Sequence, residues 1–415
     1  MVSTTPFHER LSQLNTSGLY GHWAGYLSAL RYSDSAKHEY FAIRNSAGFF
    51  DSSPLYKYAV SGPDAEKFLA GVLTRDIRTC APGRAQYTVW CDDAGYVLED
   101  GVVFRRPVEG RHTSGAAGAA AEYLLTAAHA NIGYLNEQVR RLDVQIEDVS
   151  ERYGVLAVQG PRSRAILGQL TDAVAGLAYF ELAETTIAKV PVTISRTGFT
   201  GDLGFEIFVE ADNALTVLDA VIAAGDGYGL RPFGEDALLM ARIEAGLSLI
   251  DVEFSSARYA YTDHERFTPD ELGFGWMLPR NAAGIEDESR PFIGRRAILA
   301  ERAAGASRWA TVGLKIDAAA YHKLYFDAGL MTRLDETPVP WESLLYDAHG
   351  EKAGYATSLM YSPMLQTHIA IARVRPDLKA VGTTVHLEQT IHHEYTTVPA
   401  QVARMPLFNP SRKTD

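Results

Sequence analysis

The sequence predicts an α+β protein in three parts: two related α+β subdomains followed by an all-β domain. Three observations carry that expectation. A signal of apolar strand, Gly-Pro and helix start occurs at Val60–Ala70 (VSGPDAEKFLA) and again at Leu156–Ile166 (LAVQGPRSRAI). A repeat that widely spaced marks a duplicated α+β unit rather than a solenoid. Between the copies, Gln86–Cys91, Val97–Arg105 and Tyr123–Ala127 read as successive antiparallel strands, and from Thr337 onward short strands alternate with Gly, Asp and His turns.

Taken in order, Leu19–Tyr40 is rich in Tyr, Trp and His and leads into a helix around Ala36–Ser46. Phe49–Tyr58 reads as a strand entering a turn. In the first Gly-Pro copy, Ser61 or Gly62 caps a helix whose first turn holds Pro63, Asp64 and Glu66, acids that suit the positive end of the helix dipole. The Gly/Ala-rich run Pro107–Ala121 is expected to be a flexible loop, with His112 solvated. Strands Val190–Ile194 and Phe205–Val209 flank Arg196–Glu206 (RTGFTGDLGFE), where Gly198, Gly201 and Gly204 permit positive φ or a close approach by backbone or a flat ligand. Ala214–Ala224 and Glu235–Ala245 are helical by periodicity, the second presenting Arg242 and ending at Gly246. Asp317–Asp335 reads as a polar connector. The expected partition is 1–52 with 148–275 for one subdomain, 53–147 for the other, a connector over 276–336 and the β domain over 337–415.

The chain has 415 residues, ample for two or three cores, with 47% hydrophobic and 22% charged residues. Its 39 basic and 51 acidic residues give a net charge of −12, which argues against general binding of nucleic acid or an anionic membrane. Cys80 and Cys91 are too few for a disulfide framework and sit in no metal-ligand spacing, so reduced thiols and no metal are expected. No apolar run reaches membrane-spanning length, and MVSTTPFHERLSQ lacks the basic and apolar regions of a signal peptide. A cytoplasmic location is the expectation.

Strand alternation sets Glu206 opposite to Phe205 and Ile207, so if those two face away from a pocket, the carboxylate faces into it. A planar carboxylate takes two parallel N–H donors, from a guanidinium or from a pterin edge; a solvated hairpin glutamate is the plain alternative. Asp100 and Glu99 have the alternative of an acidic pair in a turn, Tyr87 and Trp276 of core aromatics, and Arg242 of a snorkelling or salt-bridged residue beside Glu244 or Asp236. His392 and His393, neighbours on a strand, would face opposite ways and are expected to be structural.

The chain resembles the aminomethyltransferase family, the family of the glycine cleavage T-protein. The stretches that carry the resemblance run in order: Thr74–Ile77, Gln86–Thr88, Gly95–Asp100, Leu156–Pro161, Arg196–Glu206, Arg242–Gly246, Leu272–Trp276, Phe292–Arg295, Thr357–Pro363 and Pro406–Lys413. The resemblance implies a three-domain cloverleaf: two related folate-binding α+β subdomains and a barrel-like β domain around a hole that holds tetrahydrofolate. It implies transfer of a one-carbon unit to N5. Position by position, Asp100 matches the key acid, with Tyr87 in the pocket wall. Glu206 matches the carboxylate on the pterin edge, Phe199 stands where a tyrosine is usual, and Arg242 and Trp276 match further folate contacts.

Some stretches are more similar to the demethylase-type members, among them His38–Arg44, Ser52–Lys57 and the long aromatic segment Leu249–Glu265. The expectation is therefore a tetrahydrofolate-dependent transferase or demethylase that takes a methyl group from a free small O-, N- or S-methyl donor. Tyr261, His264 and Glu99 are secondary, donor-side candidates. The alternatives are a glycine-cleavage aminomethyltransferase served by a lipoyl carrier protein, and a non-catalytic folate-binding protein.

Overall fold

The computed structural model describes residues 2–107, 122–278, 290–334 and 337–415. The loop expected over Pro107–Ala121, His112 included, lies outside the described residues but for Pro107.

Two sheets and a barrel organise the chain. The first sheet has six strands in the order Leu182–Ile187, Val190–Ser195, Gly204–Glu210, Tyr153–Gln159, Ala47–Asp51 and Leu230–Pro232. Its strands are antiparallel except for the last pair. On one face Phe205, Ile207, Val209, Leu156 and Val158 pack with Val217, Leu218 and Val221 of helix Ala214–Ala224. The apolar stripe of that helix meets the alternate apolar residues of the strands, which leaves the other face of the sheet for a site.

The second sheet runs Arg84–Cys91, Val97–Arg105, Tyr123–Ala127, Tyr56–Ser61, Gln145–Asp148. Phe68, Leu69 and Val72 of helix Ala65–Val72 pack against it with Tyr58, Val103 and Leu125. Each Gly-Pro segment thus closes a strand and opens a helix over its own sheet, the second being the short helix Ser163–Leu167. Phe49–Tyr58, expected as a strand entering a turn, spans the end of Ala47–Asp51, a turn, and the start of Tyr56–Ser61, which belongs to the other sheet.

The third unit is a closed barrel of Ala310–Ile316, Thr367–Val374, Lys352–Ser362, Ser343–Tyr346, Thr384–Ile391 and Glu394–Ala403. Its first strand comes from residues expected to be connector, as does helix Ala318–Asp327. Polar surface residues hid a one-sided helix: Asp317 caps it by accepting from the Ala320 N–H at 2.9 Å, and Tyr321 and Tyr325, one turn apart, are buried in the barrel core. His392 and His393 are not on a strand. They form the turn between two barrel strands with φ of 51° and 69°.

The last residues return to the first sheet. Arg44 is fully buried, 2.8 Å from Glu244 and 3.3 Å from Asp202, and Arg412 reaches the same Asp202 at 2.6 Å. Arg196 donates to the carbonyls of Arg412, Lys413 and Asp415, and Phe408 N–H donates to the Glu244 carbonyl at 2.8 Å. Arginine's fork of donors lets one buried cation satisfy several carbonyls and carboxylates at once.

Candidate active site

A cavity of about 1700 Å³ opens where the three units meet. The first sheet contributes Phe50, Ala157, Gln159, Glu206 and Phe208; the second contributes Tyr87, Asp100, Val102 and Phe104. Leu272–Trp276 lines it in part, with Leu249, Asp251 and Tyr259 from the aromatic segment, and Thr311, Met405 and Pro406 complete the wall.

A side chain fills the space beside two glycines of the glycine-rich motif. A Cβ on Gly198 or Gly204 would fall 2.1 to 2.5 Å from the Gln159 amide. That amide donates to the Thr197 and Phe205 carbonyls, both at 3.2 Å, and accepts from Thr200 Oγ1 at 2.8 Å. Gly201 has φ +70° and packs on Ala245. With the turn braced, Thr197 donates its hydroxyl to Glu206 Oε2. Among the described residues no donor reaches Oε1. Phe205 and Ile207 lie in the core, so Glu206 faces the cavity as alternation requires. Burial pushes its pKa up, against the lowering effect of the Thr197 hydrogen bond.

Tyr87 and Asp100 sit on neighbouring antiparallel strands in diagonal register, with Tyr87 opposite Val102 and Asp100 opposite Val89. The tyrosine hydroxyl donates to Asp100 Oδ2 at 2.8 Å. Burial, then the Glu99 charge, push the Asp100 pKa up to about 7; the Tyr87 hydrogen bond pulls the other way. A carboxyl group so placed exchanges its proton near neutrality.

Glu99 points away from the cavity, as its place next to Asp100 on a strand dictates. It is buried and accepts from the His129 N–H at 3.0 Å and Asn131 Nδ2 at 3.2 Å. Its effect on the site is electrostatic, and it is not a donor contact. Arg242 also lies off the cavity wall: its helix turns the guanidinium to Glu253 Oε2 (2.6 Å) and Ser358 Oγ (2.8 Å), tying the segment after the helix to the barrel. The ion-pair partner is Glu253, not Glu244 or Asp236. Tyr261 is 96% exposed and His264 sits in an outer turn, so neither lines the cavity. Phe199 and Trp276 do line it, Trp276 at the rim with the Arg75 guanidinium 5.1 Å from its ring centroid. Of two cations on the wall, Arg75 lies in the resembling stretch Thr74–Ile77, whereas His129 carries no local signal in the sequence.

Both cysteines are buried free thiols. Among the described residues no group of His, Cys, Asp and Glu could hold a metal, and no helix is long and apolar enough to cross a membrane.

Two family profiles account for these units. The GCVT N-terminal domain matches residues 7–281, and the glycine cleavage T-protein C-terminal barrel domain matches residues 328–409. The chain belongs to the glycine cleavage T-protein family. It is 34% identical to an aminomethyltransferase of Streptomyces coelicolor over 93% of this chain and 92% of the relative. To a trimethylamine-oxide aldolase of Ruegeria pomeroyi it is 30% identical, over 99% of this chain but 48% of that longer protein. The glycine cleavage system aminomethyltransferase T of Bartonella henselae superposes with a TM-score of 0.77 at 23% identity, covering 99% of each chain, which shows the shared fold. This T-protein family member is an enzyme of the tetrahydrofolate-dependent one-carbon transferase class.

Proposed function

We propose that the protein binds tetrahydrofolate in this cavity and transfers to its N5 a one-carbon unit carried on a donor nitrogen. The observation that carries the proposal is the shared cavity of Glu206 and the Tyr87–Asp100 pair. The residues fit a reduced pterin. Glu206 offers a carboxylate oxygen to N–H donors on a ring edge, and its other oxygen is already fixed by Thr197. At about 1700 Å³ the cavity exceeds the roughly 300–1,000 Å³ of an ordinary ligand pocket, room for cofactor and donor together.

Tetrahydrofolate, when bound, supplies the nucleophilic nitrogen. The protein's part is to align and to balance charge. Glu206 sets the orientation of the ring, and Tyr87 fixes the Asp100 carboxyl. Ionised at the start, Asp100 takes the proton given up at N5 and passes it to the donor nitrogen as the carbon–nitrogen bond breaks. In its ionised form it offsets positive charge on the migrating carbon. Holding both reactants in one cavity replaces a bimolecular encounter.

Nitrogen is proposed as the donor atom because the relatives are named aminomethyltransferases or a trimethylamine-oxide aldolase, substrates whose carbon is bonded to nitrogen. That favours the aminomethyl alternative over the methyl donor bound through oxygen or sulfur. A free amine in place of a lipoyl-carried group is the second reading. The cavity wall built by Leu249, Asp251 and Tyr259 of the long aromatic segment favours it.

The test supplies tetrahydrofolate with aminomethyl-lipoyl carrier protein, or with N-, O- and S-methylated small molecules, and follows the folate product by mass spectrometry. A one-carbon folate from a nitrogen-linked donor is expected; ammonia release from the carrier separates the two nitrogen readings. Product from oxygen- or sulfur-linked donors alone would overturn the proposal.

A further inference from the structure

One histidine of the cavity wall lies between two acids, Glu99 and Asp251. His129 follows strand Tyr123–Ala127, with Nε2 hydrogen-bonded to Asp251 Oδ2 at 2.7 Å and Nδ1 3.1 Å from Glu99 Oε2, an ion-pair distance outside hydrogen-bond geometry. Its backbone N–H also donates to Glu99 Oε2 at 3.0 Å, and Glu99 Oε1 accepts the Asp100 N–H at 3.2 Å. The two partners differ in setting: Glu99 is buried behind the sheet, whereas the Asp251 side chain is 62% exposed. Asp251 holds φ at +67°, a left-handed conformation disfavoured for a residue with a side chain, and the Tyr259 ring stands edge-on to the imidazole at 6.0 Å.

We propose that His129 is a positioning residue: as an imidazolium bridging Glu99 and Asp251, it fastens the Asp251–Tyr259 wall to the second sheet and offsets the Glu99 charge behind Asp100. The inference rests on the function proposed above, in which Asp100 handles the proton. Two anions flank the ring and raise its pKa to about 10, so it is charged through the neutral range. The other groups facing it are Tyr58, whose hydroxyl reaches the His129 carbonyl at 3.4 Å, and Arg258, bonded to the Ala130 carbonyl and Asn131 Oδ1, both at 3.4 Å. Arg258 is therefore a second cation nearby, but it binds carbonyl oxygens and not Glu99.

The imidazolium favours ionised Asp100, so its removal raises the pH at which Asp100 titrates. H129Q should move that midpoint up by on the order of one pH unit, as expected for a unit charge close to a half-buried site. H129K, which restores a cation, should bring it part-way back. The midpoint is read twice: as the acid limb of kcat/KM against pH, and by carboxyl-13C NMR of the folded protein assigned with D100N. The NMR arm needs no turnover, so an inactive wild-type protein would sink the proposed reaction and leave this one to be judged. D251N, at an exposed position, should lower the pH at which His129 titrates. Coincident Asp100 midpoints in wild type and H129Q, or an unmoved His129 midpoint in D251N, would overturn the proposal.

Discussion

Replacing Arg242 with Met separates a structural clasp from a ligand contact. The guanidinium and its partner Glu253 are 1% and 2% exposed. Without the arginine, Glu253 is left as a buried carboxylate with three neutral donors: Leu249 N–H at 2.8 Å, Thr357 Oγ1 at 3.3 Å and Ser358 Oγ. Removing one member of a buried ion pair costs about 3–5 kcal/mol, and those remaining donors place the loss near the lower end, about 3 kcal/mol. Urea unfolding of ligand-free R242M, E253Q and the double variant measures it. Both single variants should be destabilised and the double variant should lose much less than their sum, because the partners are coupled. R242M within about 1 kcal/mol of wild type, together with a large loss of folate affinity, would refute the clasp and return Arg242 to the ligand.

Three further outcomes are expected. Glu206→Ala should raise the Kd for tetrahydrofolate by roughly 10- to 150-fold, the worth of about 1.5–3 kcal/mol in charge-assisted hydrogen bonds; unchanged affinity by calorimetry would count against the pterin edge. Asp100→Ala should cut turnover by roughly 10²- to 10⁴-fold with folate binding still measurable, and full activity would remove Asp100 from the chemistry. In the wild-type enzyme the Asp100 carboxyl, raised to about 7, takes up its proton as pH falls through neutrality. Steps that need the ionised form should therefore weaken below about pH 7, seen as an acid limb in kcat/KM; a limb near pH 4 would place Asp100 in contact with water.

The site was legible where backbone periodicity decides direction. On its strand the period of two sets Glu206 against Phe205 and Ile207, whereas Asp100 and Tyr87 are singled out by the resemblance to the family and by residue type alone read as a turn acid and a core aromatic. Arg242 was misplaced because a basic residue on an apolar helix does not say which buried acid it meets, and Glu253 lies beyond the helix end. Tyr261 and His264 drew attention by residue type, but their turn projects outward. His129 had no local signature: its partners Glu99 and Asp251 come from different parts of the chain and meet it only when the segment after helix Glu235–Glu244 folds over the second sheet. The glycine motif was found for an incomplete reason, since the space at Gly198 and Gly204 belongs to Gln159.

The cavity wall draws on positions from His22 to Lys413. A molecule seated there touches segments that are distant in sequence and rooted in three separate cores, so its affinity adds to their cohesion. Saturation at a hundredfold over Kd would contribute about 2.7 kcal/mol to the assembled state. Cofactor supply would then govern how long the protein survives proteolysis as well as how fast it works.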